Sequence, residues 1–237
     1  MMDDARALLK NARSVAVLTG AGVSAESGIP TFRGANGLWK QYRPEDLATP
    51  EAFARDPELV WQWYDWRRGI IAQARPNAGH CALAQFEERT PDFTLITQNV
   101  DDLHDDAGSR RVLKVHGSIW TMRCTACGKE VSDRQSPLPQ LPPRCGCGAL
   151  LRPGVVWFGE PLPQDVWRAA ENAAGRAEIF LVIGTSALVY PAAGLAAMAK
   201  RAGAKVIEIN IAQTPLSQRI DLFLQGASAE LLPELMA

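Results

Sequence analysis

Apolar residues along this chain come in short unbroken runs, with longer segments of helical period between them. The runs at 15–18, 93–97, 111–115, 179–183 and 205–209 are rich in Val, Ile, Leu and Phe. Runs of that length and composition predict strands covered on both faces, as in a parallel sheet. A further apolar segment lies at 221–224, and a C-terminal helix follows it. Helices are predicted over 3–12, 57–75, 78–89, 164–174 and 191–202, with a short one at 102–107 and Asn77 placed to cap the helix that starts at Ala78. The 57–75 segment gathers Trp61, Trp63, Trp66, Ile70 and Ile71, which reads as core. Strands alternating with helices predict an α/β fold built on a doubly wound parallel sheet. Two stretches break the alternation. Residues 34–49 have no period and read as a loop, mobile around a ligand. Residues 119–152 carry Pro137, Pro139, Pro142 and Pro143 and read as an inserted small module.

The first strand runs into Gly20-x-Gly22-x-x-Ala25 and then into what reads as a helix start. That order suits a Rossmann-like dinucleotide site, where glycines let the backbone approach a pyrophosphate and the helix N–H groups face the anion. A tight strand-to-helix turn that binds nothing has the same pattern. No acidic residue closes a second strand about twenty residues on, where a hydride-transfer dehydrogenase reads the ribose. Other strands end in Gln98-Asn99-Val100-Asp101 and His116-Gly117-Ser118, so polar groups collect at the carboxyl edge of the sheet. Of three histidines, His80 and His104 fall on helices and read as capping or core residues, as does Cys81. His116 ends a strand, is freed by Gly117, and suits a general base. Asp101 is placed either to meet a ligand or to cap the helix at 102–107.

Composition narrows the class. The chain has 237 residues, 47% hydrophobic and 22% charged, with a net charge of −1. That balance leaves no electrostatic footprint for nucleic acid or an anionic membrane. No run reaches about eighteen apolar residues, so a soluble, cytoplasmic protein is expected. Four of the five cysteines form Cys124-x-x-Cys127 and Cys145-x-Cys147, seventeen residues apart. Four thiolates satisfy one tetrahedral zinc with no open position, so the expectation is a structural zinc ribbon rather than a disulfide framework. A redox pair is the alternative reading. The local sequence is too poor in basic residues for a nucleic-acid grip.

The stretch Gly20-Ala-Gly-Val-Ser-Ala-Glu-Ser-Gly-Ile-Pro-Thr-Phe-Arg33 resembles the signature of the sirtuins, NAD-dependent protein-lysine deacylases, and matching motifs span nearly the whole chain. The resemblance implies an NAD-binding domain (1–33, 76–118 and 153–237) and a small domain (34–75 and 119–152). It implies NAD, consumed as co-substrate, held by Gly20, Ala21, Gly22, Ser24, Phe32, Arg33, Trp39, Gln98, Asn99, Asp101, Gly184, Thr185, Ser186, Asn210 and Ser228. His116 would be the base and Asn99 would help place water, while Val155, Trp157, Phe158 and Gly159 would pair with the substrate peptide. Acylated lysines of proteins are the implied partners, with a monomer compatible with the sequence. Tyr64 and Arg67 lie three apart on one helix face, and Tyr-x-x-Arg resembles the branch that removes acidic acyl groups. A phenol and a guanidinium fork suit a distal carboxylate. Succinyl-, malonyl- or glutaryl-lysine, and acetyl-lysine as well, are therefore the expected substrates. Two other activities use the same features: mono-ADP-ribosyl transfer to protein, and non-enzymatic sensing of NAD or ADP-ribose. His116, Asn99 and Asp101 together speak against a sensor, which needs no base.

Overall fold

The computed structural model describes residues 1–33 and 37–237, apart from the side chain of Trp39. The expected cofactor role of Trp39 therefore falls outside the described residues. The strands, in chain order, are β1 (Ser14–Thr19), β2 (Asp92–Thr97), β3 (Val112–Lys114), β4 (Gly117–Cys124), β5 (Glu130–Ser132), β6 (Leu151–Val155), β7 (Ile179–Ile183), β8 (Lys205–Asn210) and β9 (Leu222–Gln225). Six of them pair in parallel in the order β3-β2-β1-β7-β8-β9, and β5-β4-β6 form a small antiparallel sheet. Strand order reverses beside β1, with Val17 level with Leu95 on one side and Leu181 on the other. A ligand crevice is expected beyond the carboxyl ends at such a switch point.

The helices are α1 (Met2–Asn11), α2 (Pro44–Leu47), α3 (Pro50–Arg55), α4 (Pro57–Gln73), α5 (Ala78–Arg89), α6 (Leu103–Asp106), α7 (Gln164–Arg176), α8 (Gly194–Arg201) and α9 (Ser228–Leu235). Strand periodicity decides which helices lie on which face of the large sheet. Val15 and Val17 join Leu9, Leu83, Phe86 and Leu232 in one apolar layer, with α1, α5 and α9. Ala16 and Leu18 point the other way, toward Ala170, Ala174, Leu195 and Ala199 of α7 and α8. A third core joins α4 to the small sheet through Trp61, Trp63, Ile119, Trp120 and Leu151. Two long-range links fasten it. Trp61 Nε1 donates to Leu151 O at 2.8 Å, and the fully buried Arg68 donates to the carbonyls of Ile119, Asp133 and Gln135.

The structure departs from the sequence expectations at several places. The glycine turn leads into a 3₁₀ segment, Ala21–Ser27, rather than an α-helix. Gly28 at φ 84° ends it and Pro30 follows, and bonds from outside, Gly22 N to Gly184 O and Asn77 Nδ2 to Val23 O, hold its backbone. The described part of 34–49 holds a 3₁₀ turn, Leu38–Lys40, and α2, because Leu38 and Leu47 are buried anchors. Trp66 is 44% exposed and lies outside the core of α4. Cys81 is exposed rather than packed. The helix expected from 191 starts at Gly194.

Candidate active site

Two glycine turns meet where β1 and β7 end. Gly20 N donates to Ile183 O and Gly22 N to Gly184 O, at 3.0 and 2.7 Å. A Cβ on Gly22 would stand 2.7 Å from Gly184 Cα, and one on Gly184 would stand 2.4 Å from Val23 N. The missing side chains thus make room first for backbone against backbone. Asn77, the N-cap of α5, also donates through Nδ2 to Val23 O and Ser27 Oγ, which fixes the 3₁₀ segment to α5.

Beyond these turns lies a cleft of about 790 Å³. Gly20, Ala21, Gly22, Phe32, Arg33, Gln98, Asn99, Gly184, Thr185, Ser186, Asn210 and Ser228 line it, and so do Tyr64, Arg67, His116, Val155, Trp157, Phe158 and Gly159. Ser24 and Asp101 do not line it. They stand one layer behind Asn99, buried, because both are consumed by a hydrogen-bond network. His80 Nδ1 accepts from Asn77 N, which leaves Nε2 to donate to Ser24 Oγ at 3.4 Å. Ser24 Oγ also accepts from Asn99 Nδ2 at 3.2 Å and donates to Asp101 Oδ2 at 2.8 Å. Asp101 Oδ1 accepts from Leu103 N, so this carboxylate does serve the start of α6. The chain of contacts orients the Asn99 amide, with its nitrogen turned inward. Burial lowers the His80 pKa to about 4 and raises that of Asp101. The His104 ring packs at a tilt of 55° against His80, with centroids 4.8 Å apart, and meets Thr19 Oγ1 at 3.0 Å.

His116 stands at the far end of the crevice. Its Nδ1 donates to Gln98 O at 3.0 Å, which leaves Nε2 as the unprotonated ring nitrogen. Burial pulls its pKa below the ordinary imidazole value, against the pull of the Gln98 carbonyl. A neutral ring near pH 7 can accept a proton. Gly117, at φ 78°, carries no Cβ because one would strike Gly154 O at 2.2 Å. That close crossing brings β6 beside His116, and Val156 N donates to His116 O. Residues 155–159 are braced from below. Glu160 pairs with Arg152 and accepts from Trp157 N at 2.8 Å, while the Arg152 guanidinium lies 3.5 Å from the Trp157 ring centroid.

Tyr64 and Arg67 enter the cleft from α4. Trp157 Nε1 donates to Tyr64 Oη at 2.9 Å, and burial pushes the phenol pKa up to about 12, so its proton is kept for donation. Arg67 is only 7% exposed, with its guanidinium 4.7 Å from the Phe32 ring and 5.0 Å from that of Trp63. Among the described residues none accepts a hydrogen bond from it. Burial lowers its pKa while Tyr64 and Asp101 hold it up. A buried guanidinium with aromatic neighbours and open donors is matched to an anionic ligand group.

Several lining positions carried no motif-level signal. Ala48 joins the α4 pair through tertiary folding, Trp63 is the neighbour of Tyr64 on α4 itself, and Leu188 to Pro191 and Ile211 to Pro215 form walls from irregular segments. Glu26 also lines the cleft, where its Oε2 accepts from Ser228 Oγ and Ala229 N at the start of α9. The Ser228 hydroxyl expected near a ligand is therefore already engaged.

Outside the cleft, the sulfurs of Cys124, Cys127, Cys145 and Cys147 lie within 4.8 Å of one another. Three of the separations are 3.5, 3.8 and 3.8 Å, far too long for disulfides. A tetrahedron built on Zn–S bonds of ~2.3 Å has edges of about 3.8 Å, so the four residues fit zinc. The N–H groups of Cys127 and Ala126 lower the Cys124 pKa and favour its thiolate. No open ligand position remains, and the ion would hold the Cys124 turn to the Cys145 turn without touching the cleft.

Comparison with known proteins agrees with this geometry. A family model described as Sir2 family matches residues 20–191. An NAD-dependent protein deacylase 2 of Pyrobaculum aerophilum is 55% identical over 230 residues, covering 97% of this chain and 92% of the relative. An NAD-dependent protein deacylase of Aquifex aeolicus is 56% identical, covering 92% of each. A solved Sir2 homologue–NAD complex superposes with a TM-score of 0.93 at 50% identity, over 99% of this chain and 92% of that one.

Proposed function

The chain belongs to the Sir2 family, and from that premise we propose that it removes acyl groups from protein lysines with consumption of NAD. NAD, the co-substrate, supplies the ribose carbon that takes the acyl oxygen, and it leaves as nicotinamide and O-acyl-ADP-ribose. The observation that carries the reading is His116, neutral and fixed by Gln98 O, with Nε2 as the free basic nitrogen. His116 takes a proton from a ribose hydroxyl. Asn99, oriented through Ser24, borders the reacting ribose and helps place water. Asp101, held behind Asn99 by Ser24, would accept from the nicotinamide carboxamide. Gly20, Ala21, Gly22, Phe32, Arg33 and Gln98 take the nicotinamide riboside and phosphates, and Gly184 to Ser186, Asn210 and Ser228 take the adenosine end. The substrate peptide adds as a strand along residues 155–159. The NAD-binding residues 1–33, 76–118 and 153–237 and the small domain of 34–75 and 119–152 would then face each other across the cleft.

The acyl preference follows from Tyr64 and Arg67. A succinyl, malonyl or glutaryl group ends in a carboxylate, which satisfies the guanidinium and accepts the phenol proton. Acetyl-lysine would use the same cleft without that contact. A panel of acyl-lysine peptides incubated with NAD and read by mass tests the proposal. The expected result is free lysine peptide with one nicotinamide per turnover, fastest for acidic acyl groups. Label from NAD left on protein, with the acyl peptides intact, would overturn it in favour of ADP-ribosyl transfer.

A further inference from the structure

Glu208 lies in the middle of β8 and is fully buried. Among the described residues its carboxylate has no ion-pair partner. Instead Thr214 Oγ1 donates to Oε1 at 2.6 Å and Ser217 Oγ donates to Oε2 at 2.5 Å. Those distances belong to charge-assisted O–H···O⁻ bonds, the stronger class. Each hydroxyl is used twice: Thr214 Oγ1 accepts from Leu216 N, and Ser217 Oγ accepts from Thr214 N. Ser217 N donates in turn to Thr214 O. One carboxylate therefore pins both ends of a single turn, with each hydroxyl donating once and accepting once.

The pinned turn matters because of what precedes it. Residues 211–215 line the cleft together with Gly184 to Ser186, Gly226 and Ser228. They leave β8 at Asn210, two residues beyond Glu208 and on the same side of the strand. The near end of that wall is fixed by Asn210, whose Oδ1 accepts from Ile211 N and whose Nδ2 donates to Thr185 O. The far end is fixed by Glu208. Ile211, Ala212 and Gln213, between the two, are exposed and have few bonds of their own.

We propose that Glu208 is a positioning residue for the adenosine half of NAD, holding the wall of residues 211–215 in place through Thr214 and Ser217. This rests on the reading of the cleft as an NAD site. Glu208→Gln keeps the shape of the side chain and removes the charge that strengthens both bonds. Its KM for NAD should rise roughly tenfold, the equivalent of losing one charge-assisted hydrogen bond. The kcat at saturating NAD and the KM for acyl peptide should stay unchanged. Ser217→Ala removes one of the two bonds from a residue that does not line the cleft, so the same change should appear at smaller size.

Calorimetric titration with ADP-ribose separates the two levels of the argument. If the wild-type chain binds neither NAD nor ADP-ribose, the NAD reading itself fails. If wild type binds ADP-ribose and both variants bind it equally well, only the role of Glu208 falls. A fall in kcat with a rise in both KM values and a lowered Tm would make Glu208 a general stability residue and would also overturn the proposal. Should Glu208→Gln fail to fold, Ser217→Ala alone decides, since it leaves β8 intact.

Discussion

Replacing Arg67 by Met isolates the group on which the proposed acyl preference rests. Arg67 is 7% exposed, lies against Phe32 and Trp63, and has no hydrogen-bond acceptor among the described residues. A substrate carboxylate would supply that acceptor. A hydrogen bond to a charged partner contributes roughly 1.5–3 kcal/mol, and ~1.4 kcal/mol is tenfold. Arg67→Met should then lower kcat/KM for a succinyl-lysine peptide roughly ten- to hundredfold, mainly through KM. Methionine keeps the apolar contact with both rings. Acetyl-lysine makes no contact that needs the charge, so its kcat/KM should be nearly unchanged. The free enzyme gains from losing a buried, unpaired cation, so its Tm should hold or rise. Steady-state kinetics on the two peptides, read by mass, give the ratio directly. Equal losses for both peptides would make Arg67 a structural residue, and the acidic-acyl preference would fall with it.

His116→Ala should cost roughly 10²–10⁴ in rate with ADP-ribose affinity and zinc content retained, because only the base is lost. In the wild type, kcat/KM should decline on acidification with a limb below the ordinary histidine value, as burial lowers the His116 pKa; a limb well above it would assign the base elsewhere. Metal analysis should find one zinc per chain in wild type and in Cys81→Ala, and none in Cys124→Ala; equal zinc in both variants would refute the four-cysteine site. His80 is kept neutral in the fold at a pKa of about 4, so between that value and its unfolded value of about 6.5 only the unfolded chain binds the proton. Stability should accordingly fall from pH 6.5 toward pH 4 by on the order of 3 kcal/mol from this residue, and urea melts of His80→Gln should show that slope reduced.

Local chemistry explains what could be read along the chain. The strands at 15–18 and 179–183 are apolar on both sides because helices cover both faces of the sheet, so their pattern is unambiguous. Asn77 announces α5 because a cap is a contact within three residues. The cysteine pairs are legible for the same reason, each turn being local. What stayed hidden depends on contacts far apart in sequence. Tyr64 meets Trp157 across 93 positions, and Ser24 meets His80 on α5 and Asn99 and Asp101 in the loop after β2. No periodicity records such pairs. Ser24 and Asp101 carry a motif that marks them as important, yet the motif is silent on whether they face the ligand or stand behind it. The 3₁₀ segment at Ala21–Ser27 was hidden too, since its shape is imposed by Gly184 and Asn77 from outside.

The interlocked glycine turns and the network behind Asn99 have the same physical consequence. Groups that must meet a charged, flexible dinucleotide are fixed before it arrives, so binding does not have to supply the ordering. Gly22 and Gly184 achieve this with backbone bonds that only glycines permit at such an approach. Asn99 achieves it with a serine whose hydroxyl accepts twice and donates once. Arg67 is the exception: its guanidinium is positioned by aromatic rings but its donors are left open. Holding a cation in that state costs stability in the free protein. On the proposed reading the cost is recovered when the carboxylate of an acidic acyl group enters, so the feature that weakens the empty cleft would also select the substrate.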